Sequence, residues 1–204
     1  MALISDLNSI DEQLFKIINT PEILKYPKVL DEFMLLISSN YFWIFLFLIM
    51  FIVFFIKKRF YPLKILVLAL LAMSLSDLFA YRILKPLAER KRPCHSLEDL
   101  RLVSERCGGE YGFPSNHAAN GFAAAVFVSL NMRRKRIFGL PTLFIGAAFL
   151  VGLSRVYLGV HYPFDVLFGF VVGSVVAVIA NFALKLAIKH YAHLQIFKFY
   201  QRLQ

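Results

Sequence analysis

The stretch SRVYLGVHYPFD, residues 154–165, places an arginine, a histidine and an aspartate in a short break between two long apolar runs. Asp165 lies four residues after His161, within reach of one imidazole nitrogen. A carboxylate there fixes the tautomer and leaves the other ring nitrogen free as a nucleophile. Arg155, at the end of the preceding run, can reach an anion on the same face. An Arg155–Asp165 ion pair joining two helix ends would account for both charges, but it leaves His161 without a role. Upstream, GFPSNH at 112–117 precedes another apolar run. Proline and serine mark a helix start there, and the first N–H groups of a helix point outward with the positive end of its dipole, ready for an anion. His117 in the first turn can give or take a proton at that anion. A plain N-cap at Ser115 with an interfacial His117 is the other reading. A third stretch, KPLAERKRP at 85–93, supplies Lys85 and Arg92. A guanidinium fork and an ammonium point charge suit a phosphate, although the stretch alone also reads as a basic loop beside lipid headgroups.

Taken together, these residues amount to a nucleophile with its orienting acid, a second histidine and three fixed cations. Phosphoryl transfer needs that set: an in-line attacker, charge stabilisation on the equatorial oxygens, and an acid for the leaving oxygen. In this arrangement the chain resembles the type 2 phosphatidic acid phosphatase superfamily of integral membrane lipid phosphatases. That family's signature is a lysine, six residues, Arg-Pro, then Pro-Ser-Gly-His, then Ser-Arg, five residues, His, three residues, Asp. The chain reads Lys85…Arg92-Pro93, Pro114-Ser115-Asn116-His117 and Ser154-Arg155…His161…Asp165, with Asn116 in place of the family glycine.

The resemblance implies that His161 attacks phosphorus to form a phosphohistidine, that Asp165 orients it, and that His117 protonates the leaving oxygen. Lys85, Arg92 and Arg155, with Ser115 and the amides of Asn116 and His117, would hold the phosphate. It implies no metal and no cofactor, and Glu89, Glu98, Asp99, Glu105 and Glu110 form no metal-ligand pattern of their own. The expected substrate is a membrane lipid phosphate or diphosphate. By compact layout the chain looks most like bacterial undecaprenyl-diphosphate phosphatases, with phosphatidylglycerophosphate, lipid A 1-phosphate and transfer to an alcohol as the alternatives. A non-catalytic anion-binding membrane protein is the reading from another class.

The elements that must position these residues are read from hydropathy. Of 204 residues, 59 % are apolar, 22 of them Phe, which is above the range of soluble domains. Five apolar segments, 33–56, 65–81, 117–132, 137–153 and 164–184, predict an all-α, polytopic membrane bundle of about five transmembrane helices in a single domain, 1–204. An N-terminal surface helix at 5–20 is expected from Leu7, Ile10, Leu14, Ile17 and Ile18 on one face, with Ser9 and Glu12 as a capping box and Pro21 as its stop; a helix packed across the bundle is the other reading. The opening residues lack the basic start and continuous apolar core of a cleavable signal. Residues 82–116 form the one long polar connection, an outer-face loop carrying part of the site.

The net charge of +10 is arranged by side, which removes a nucleic-acid partner from consideration. Lys57, Lys58, Arg59, Lys64, Arg133, Arg134, Lys135, Arg136, Lys185, Lys189, Lys198 and Arg202 fall on one side with no acid among them. The other side, 1–32 and 82–116, mixes ten basic and eleven acidic residues. Short basic loops stay cytoplasmic, so the C-terminus is expected inside a bacterial inner membrane and the three motifs on its periplasmic face. Both cysteines, Cys94 and Cys107, then lie in the outer loop, and a disulfide is expected there over a zinc site with His95, because adjacent Cys-His lacks the usual ligand spacing. Asp77, an ionisable residue in the second span, is a functional candidate by default, and a structural pairing with Arg82 or Tyr81 is the favoured reading.

Overall fold

The structure, a computed structural model, describes residues 2–19, 28–56, 61–104, 106–132 and 139–201. The chain is all-α. Helices α1 (Ala2–Asn19), α2 (Lys28–Ser38), α3 (Asn40–Ile56) and α4 (Tyr61–Phe79) form the first half. From α4 the chain passes through a π-helical turn (Ala80–Leu84) into the short α5 (Lys85–Ala88), and α6 (Pro93–Ser96) lies in the connection that follows. Helices α7 (Asn116–Met132), α8 (Gly139–Tyr157) and α9 (Pro163–Gln201) complete the bundle.

The centre of the bundle is α7, which packs on α4, α8 and α9. Its buried face includes Ala118, Ala119, Ala123, Ala124 and Ala125. Alanine is the best helix former and leaves room for a neighbouring backbone. Helix α9 uses that room. A Cβ on Gly173 would lie 2.0 Å from the Ala119 carbonyl oxygen, and one on Gly169 would lie 2.7 Å from that of Ser115. This four-residue spacing of glycines is the small-residue device by which membrane helices approach closely. It brings the N-terminal ends of α7 and α9 together, and those ends carry the second and third motifs.

Leu63–Ala88, Gly139–Tyr157 and Pro163–Tyr191 are long and apolar enough to cross a membrane, and α2 with α3 makes a fourth if that pair, bent by 65°, counts as one span. Among the described residues, length and composition thus give three or four candidate spans against the five or so expected. The segment expected at 33–56 breaks at Ser39, and α7 has 17 residues, about 25 Å of rise against a hydrocarbon core of roughly 30 Å. The outer connection is also shorter than expected, because helix continues to Ala88. Residues 57–59, 133–136 and 202, which carry eight of the charges used for topology, lie outside the described residues, as does Pro21.

Helix α1 runs from Ala2, so Ser9 and Glu12 fall in its middle and not at an N-cap. Leu7, Ile10, Leu14 and Ile17 are exposed on one side of it. Asp11, Phe15 and Asn19, four residues apart, form the opposite face and are buried against the bundle.

Candidate active site

His161 sits in the break between α8 and α9 with 1 % of its surface exposed. The break is shaped by Gly159, whose φ of +83° suits glycine and whose Cα lies where a Cβ would meet the Arg101 carbonyl oxygen at 2.7 Å. Arg92 Nη1 lies 2.7 Å from His161 Nε2. Guanidinium only donates, so Nε2 is the acceptor and carries the lone pair. The proton is then on Nδ1, which faces Asp165 Oδ2 at 3.4 Å, a long contact of the kind that tightens when a site engages its substrate. Asp165 Oδ2 also accepts from the Tyr162 amide at 3.0 Å, the return half of a capping box at the start of α9. Burial in the protein, and after it the positive charges of Arg92 and Arg155, hold the His161 imidazolium well below the ordinary histidine value. Nε2 is thus kept unprotonated and nucleophilic.

Arg92 is fixed from three sides: Nε donates to Gly109 O at 2.7 Å and Nη1 to Val160 O at 3.1 Å, in addition to His161. Lys85 donates to the carbonyls of Tyr111, Gly112 and Pro114 at 3.0, 3.2 and 3.0 Å. Its ammonium therefore shapes the turn before α7 while adding charge to the cavity wall. Ser115 N donates to Asp165 O at 2.9 Å, which clamps the α7 start onto the α9 start. The first helical bond of α7 is Ala119 N to Ser115 O at 2.9 Å, so the amides of Asn116, His117 and Ala118 precede the ladder. The Ser115 hydroxyl and Arg155 Nε are buried with no protein partner, a costly state that suits groups built to meet a ligand. Arg155 Nη1 also bonds the Ser38 hydroxyl.

Lys85, Arg92, Asn116, His117, Arg155 and His161 all line one cavity of about 610 Å³. Asp165 and Ser115 lie directly behind it, fully buried. Every site residue expected from the sequence is thus in or against a single space. Cys94 and Cys107 form a disulfide across a Cα separation of 6.0 Å, closing the loop whose two ends lead to Arg92 and to its acceptor Gly109.

Asp77 differs from expectation. Its Oδ1 accepts from Asn116 Nδ2 at 2.8 Å and Asn120 Nδ2 at 2.9 Å, not from Tyr81 or Arg82. The π-helical turn begins three residues on and breaks the four-residue register, and Tyr81 and Arg82 lie instead along the cavity. Sequence reasoning also missed Arg90 and Asp11. Arg90 Nη1 donates to Asp165 Oδ1 at 2.9 Å, and Nη2 to Asp11 Oδ2 at 2.6 Å. The motif spacing passes over Arg90, and nothing local marks Asp11, whose partners lie 79 and 153 residues away.

A profile of the PAP2 superfamily matches residues 63–187. A lipid A 4'-phosphatase of Porphyromonas gingivalis is 32 % identical over 171 residues, covering 82 % of this chain and 70 % of that protein. A lipid A 4'-phosphatase of Bacteroides thetaiotaomicron is 36 % identical over 108 residues, 51 % of this chain and 47 % of that protein, so the matched stretch spans about half of that relative. Among solved structures, a PAP2-type phosphatidylglycerolphosphate phosphatase from Bacillus subtilis superposes with a TM-score of 0.63 at 26 % identity, covering 88 % of this chain and 87 % of that one.

Proposed function

This chain belongs to the PAP2 superfamily, and from that premise we propose that it is a membrane lipid phosphatase that works through a phosphohistidine on His161. The observation that carries the proposal is the array Arg92–His161–Asp165, which leaves the lone pair on Nε2 at the wall of a cationic cavity. Nε2 attacks phosphorus, the P–O bond to the headgroup breaks, and His117 gives its proton to the leaving oxygen. Charge on the equatorial oxygens is met by Arg92, Arg155, the Ser115 hydroxyl and the α7 amides, with Lys85 adding positive charge from the wall. Asp165 stabilises the cation that forms on the ring. Water then attacks the P–N bond, His117 takes its proton, and phosphate leaves from an unaltered enzyme. The cations are all side chains, so the cycle is expected to run in a chelator.

For the substrate, the relatives support lipid A phosphate, and at the 4' position, ahead of undecaprenyl diphosphate. Phosphatidylglycerophosphate is the second reading, favoured by the Bacillus subtilis structure. Phosphate release would be measured in EDTA from lipid A 1,4'-bisphosphate, phosphatidylglycerophosphate, undecaprenyl diphosphate and phosphatidic acid, with His161→Ala beside the wild type. Fastest release from lipid A, with loss of the 4' group by mass spectrometry and a fall of at least about 10⁴-fold in the variant, is expected. Release that survives in His161→Ala would rule out the phosphohistidine.

A further inference from the structure

Arg90 lies between the two cations of the first motif but faces away from the phosphate cavity. Helix α5 ends at Glu89 with φ 46°, a left-handed cap that turns the chain as Arg90 begins. The guanidinium then bridges two carboxylates that are both fully buried, Asp165 at 2.9 Å and Asp11 at 2.6 Å. It also lies over the Tyr162 ring, 4.6 Å from the centroid, and Phe15 of α1 packs edge-on against that ring at 5.5 Å. The division of bonds at Asp165 is specific. Oδ2 serves His161 and the Tyr162 amide, whereas Oδ1 serves Arg90. A carboxylate held by both oxygens cannot rotate about its last torsion, so the direction in which Oδ2 points is set by Arg90. Asp11 in turn takes the second arm of the fork with Oδ2 and the Phe164 amide with Oδ1 at 2.9 Å, so it ties Arg90 to the first turn of α9.

We propose that Arg90 and Asp11 are positioning residues of this active site: Arg90 aims the Asp165 carboxylate at His161, and Asp11 holds Arg90 in place, which makes helix α1 part of the catalytic apparatus. The proposal rests on His161 being the nucleophile. A misaimed orienting acid lowers the rate of the chemical step while substrate binding continues, because neither residue lines the phosphate cavity. The alternative is an ion pair that only fastens α1 to the bundle. That alternative predicts lost stability with an unchanged turnover per folded molecule. Arg101, which donates to Asp31 of α2 at 2.5 Å in the same outer connection, supplies the matched control.

The test measures kcat, KM and thermal unfolding on whichever of the four lipids above the wild type hydrolyses fastest. The variants are Arg90→Gln, Asp11→Asn, the double variant, Arg101→Gln and His161→Ala. Expected are a kcat about 10²-fold lower for Arg90→Gln with KM within about threefold, and about tenfold lower for Asp11→Asn. The double variant should match Arg90→Gln alone, since groups acting as one unit are not additive. Arg101→Gln should lower the unfolding temperature and keep its kcat. If Arg90→Gln does not fold, because it leaves two buried carboxylates without a counterion, the double variant replaces it in the comparison with wild type. A kcat per folded molecule within about twofold of wild type in Arg90→Gln, or in the double variant where that stands in, overturns the proposal, as do single-variant losses that multiply in the double. Activity in His161→Ala, or no release from any of the four lipids, removes the underlying reading and this proposal with it.

Discussion

At the scale of single residues, the protonation of His161 is set by what surrounds it. The ring is buried, and Arg92 and Arg155 oppose any further positive charge. The folded-state pKa therefore lies below the roughly 6.5 of a free imidazole. Two consequences share one sign. The unfolded chain takes up a proton there that the folded chain refuses, so stability is lost as pH falls below about 6.5. Turnover, which needs neutral Nε2, persists to lower pH than an ordinary histidine would allow. In Arg92→Gln one opposing cation is gone, and the acid limb of kcat/KM should move to higher pH, along with a fall in rate. A limb that stays where it is would mean that Arg92 does not govern this titration. Asn116 calls for a different expectation. Its side-chain amide is turned to Asp77, which leaves the backbone N–H as the group it would offer a phosphate. Asn116→Gly keeps that N–H and should change kcat by less than about tenfold, while the relative rates on the four lipids are free to shift. A loss comparable to that of His161→Ala would place the amide side chain on the reacting group.

At the scale of elements, the site depends on how closely α7 and α9 approach, because Ser115 and His117 begin one helix and Asp165 lies in the first turn of the other. Gly173→Ala puts a methyl 2.0 Å from the Ala119 carbonyl oxygen and 2.8 Å from the Ala123 nitrogen. Backbone cannot yield there as a flexible side chain would, so the helices must part. The expected cost is about 1–3 kcal/mol, seen as a lower unfolding temperature in detergent, and phosphate release should fall with it because the two ends separate. Unchanged activity at a lowered unfolding temperature would show that the ends are held by other contacts. The helices that carry the second and third motifs were legible in the sequence, since their apolar runs are bounded by Pro-Ser and Tyr-Pro. Expected starts at 117 and 164 became Asn116 and Pro163. The elements that failed to show did so for physical reasons. The π-helical turn AYRIL has no composition of its own. The break at Ser39 is marked by the polar triplet Ser38-Ser39-Asn40, but the apolar residues on both sides outweigh it in averaged hydropathy, which reads one span. In α1 Leu7, Ile10, Leu14 and Ile17 share one exposed side, but Ile18 packs on the core, and the face that docks consists of Asp11, Phe15 and Asn19, whose meaning lies in partners far along the chain. Arg90 was hidden in the same way, as one more basic residue among four in KPLAERKRP.

At the scale of the whole molecule, the outer surfaces of the helices are those of a protein in lipid. Ile44, Leu48, Leu71, Leu75, Val175 and Phe182 on α3, α4 and α9 are each more than half exposed. An apolar belt of that extent would be a liability in water. Within this belt α9 gives the molecule its direction. From Asp165 in its first turn to Lys189 the helix rises about 36 Å, more than the roughly 30 Å of a hydrocarbon core. The end that carries Asp165 and the basic end are therefore expected on opposite sides, and the excess of Lys and Arg with no acid at the second end predicts that it faces the cytoplasm. Single cysteines at Glu98 and Lys189, both exposed, test this directly in a background carrying Cys94→Ser and Cys107→Ser. In sealed right-side-out bacterial vesicles a membrane-impermeant maleimide should label Glu98→Cys at once and Lys189→Cys only after permeabilisation. The reverse pattern would invert the molecule and put the phosphatase on the cytoplasmic leaflet. Labelling of both positions from one side would mean that α9 does not span, and the apolar belt would then need another explanation.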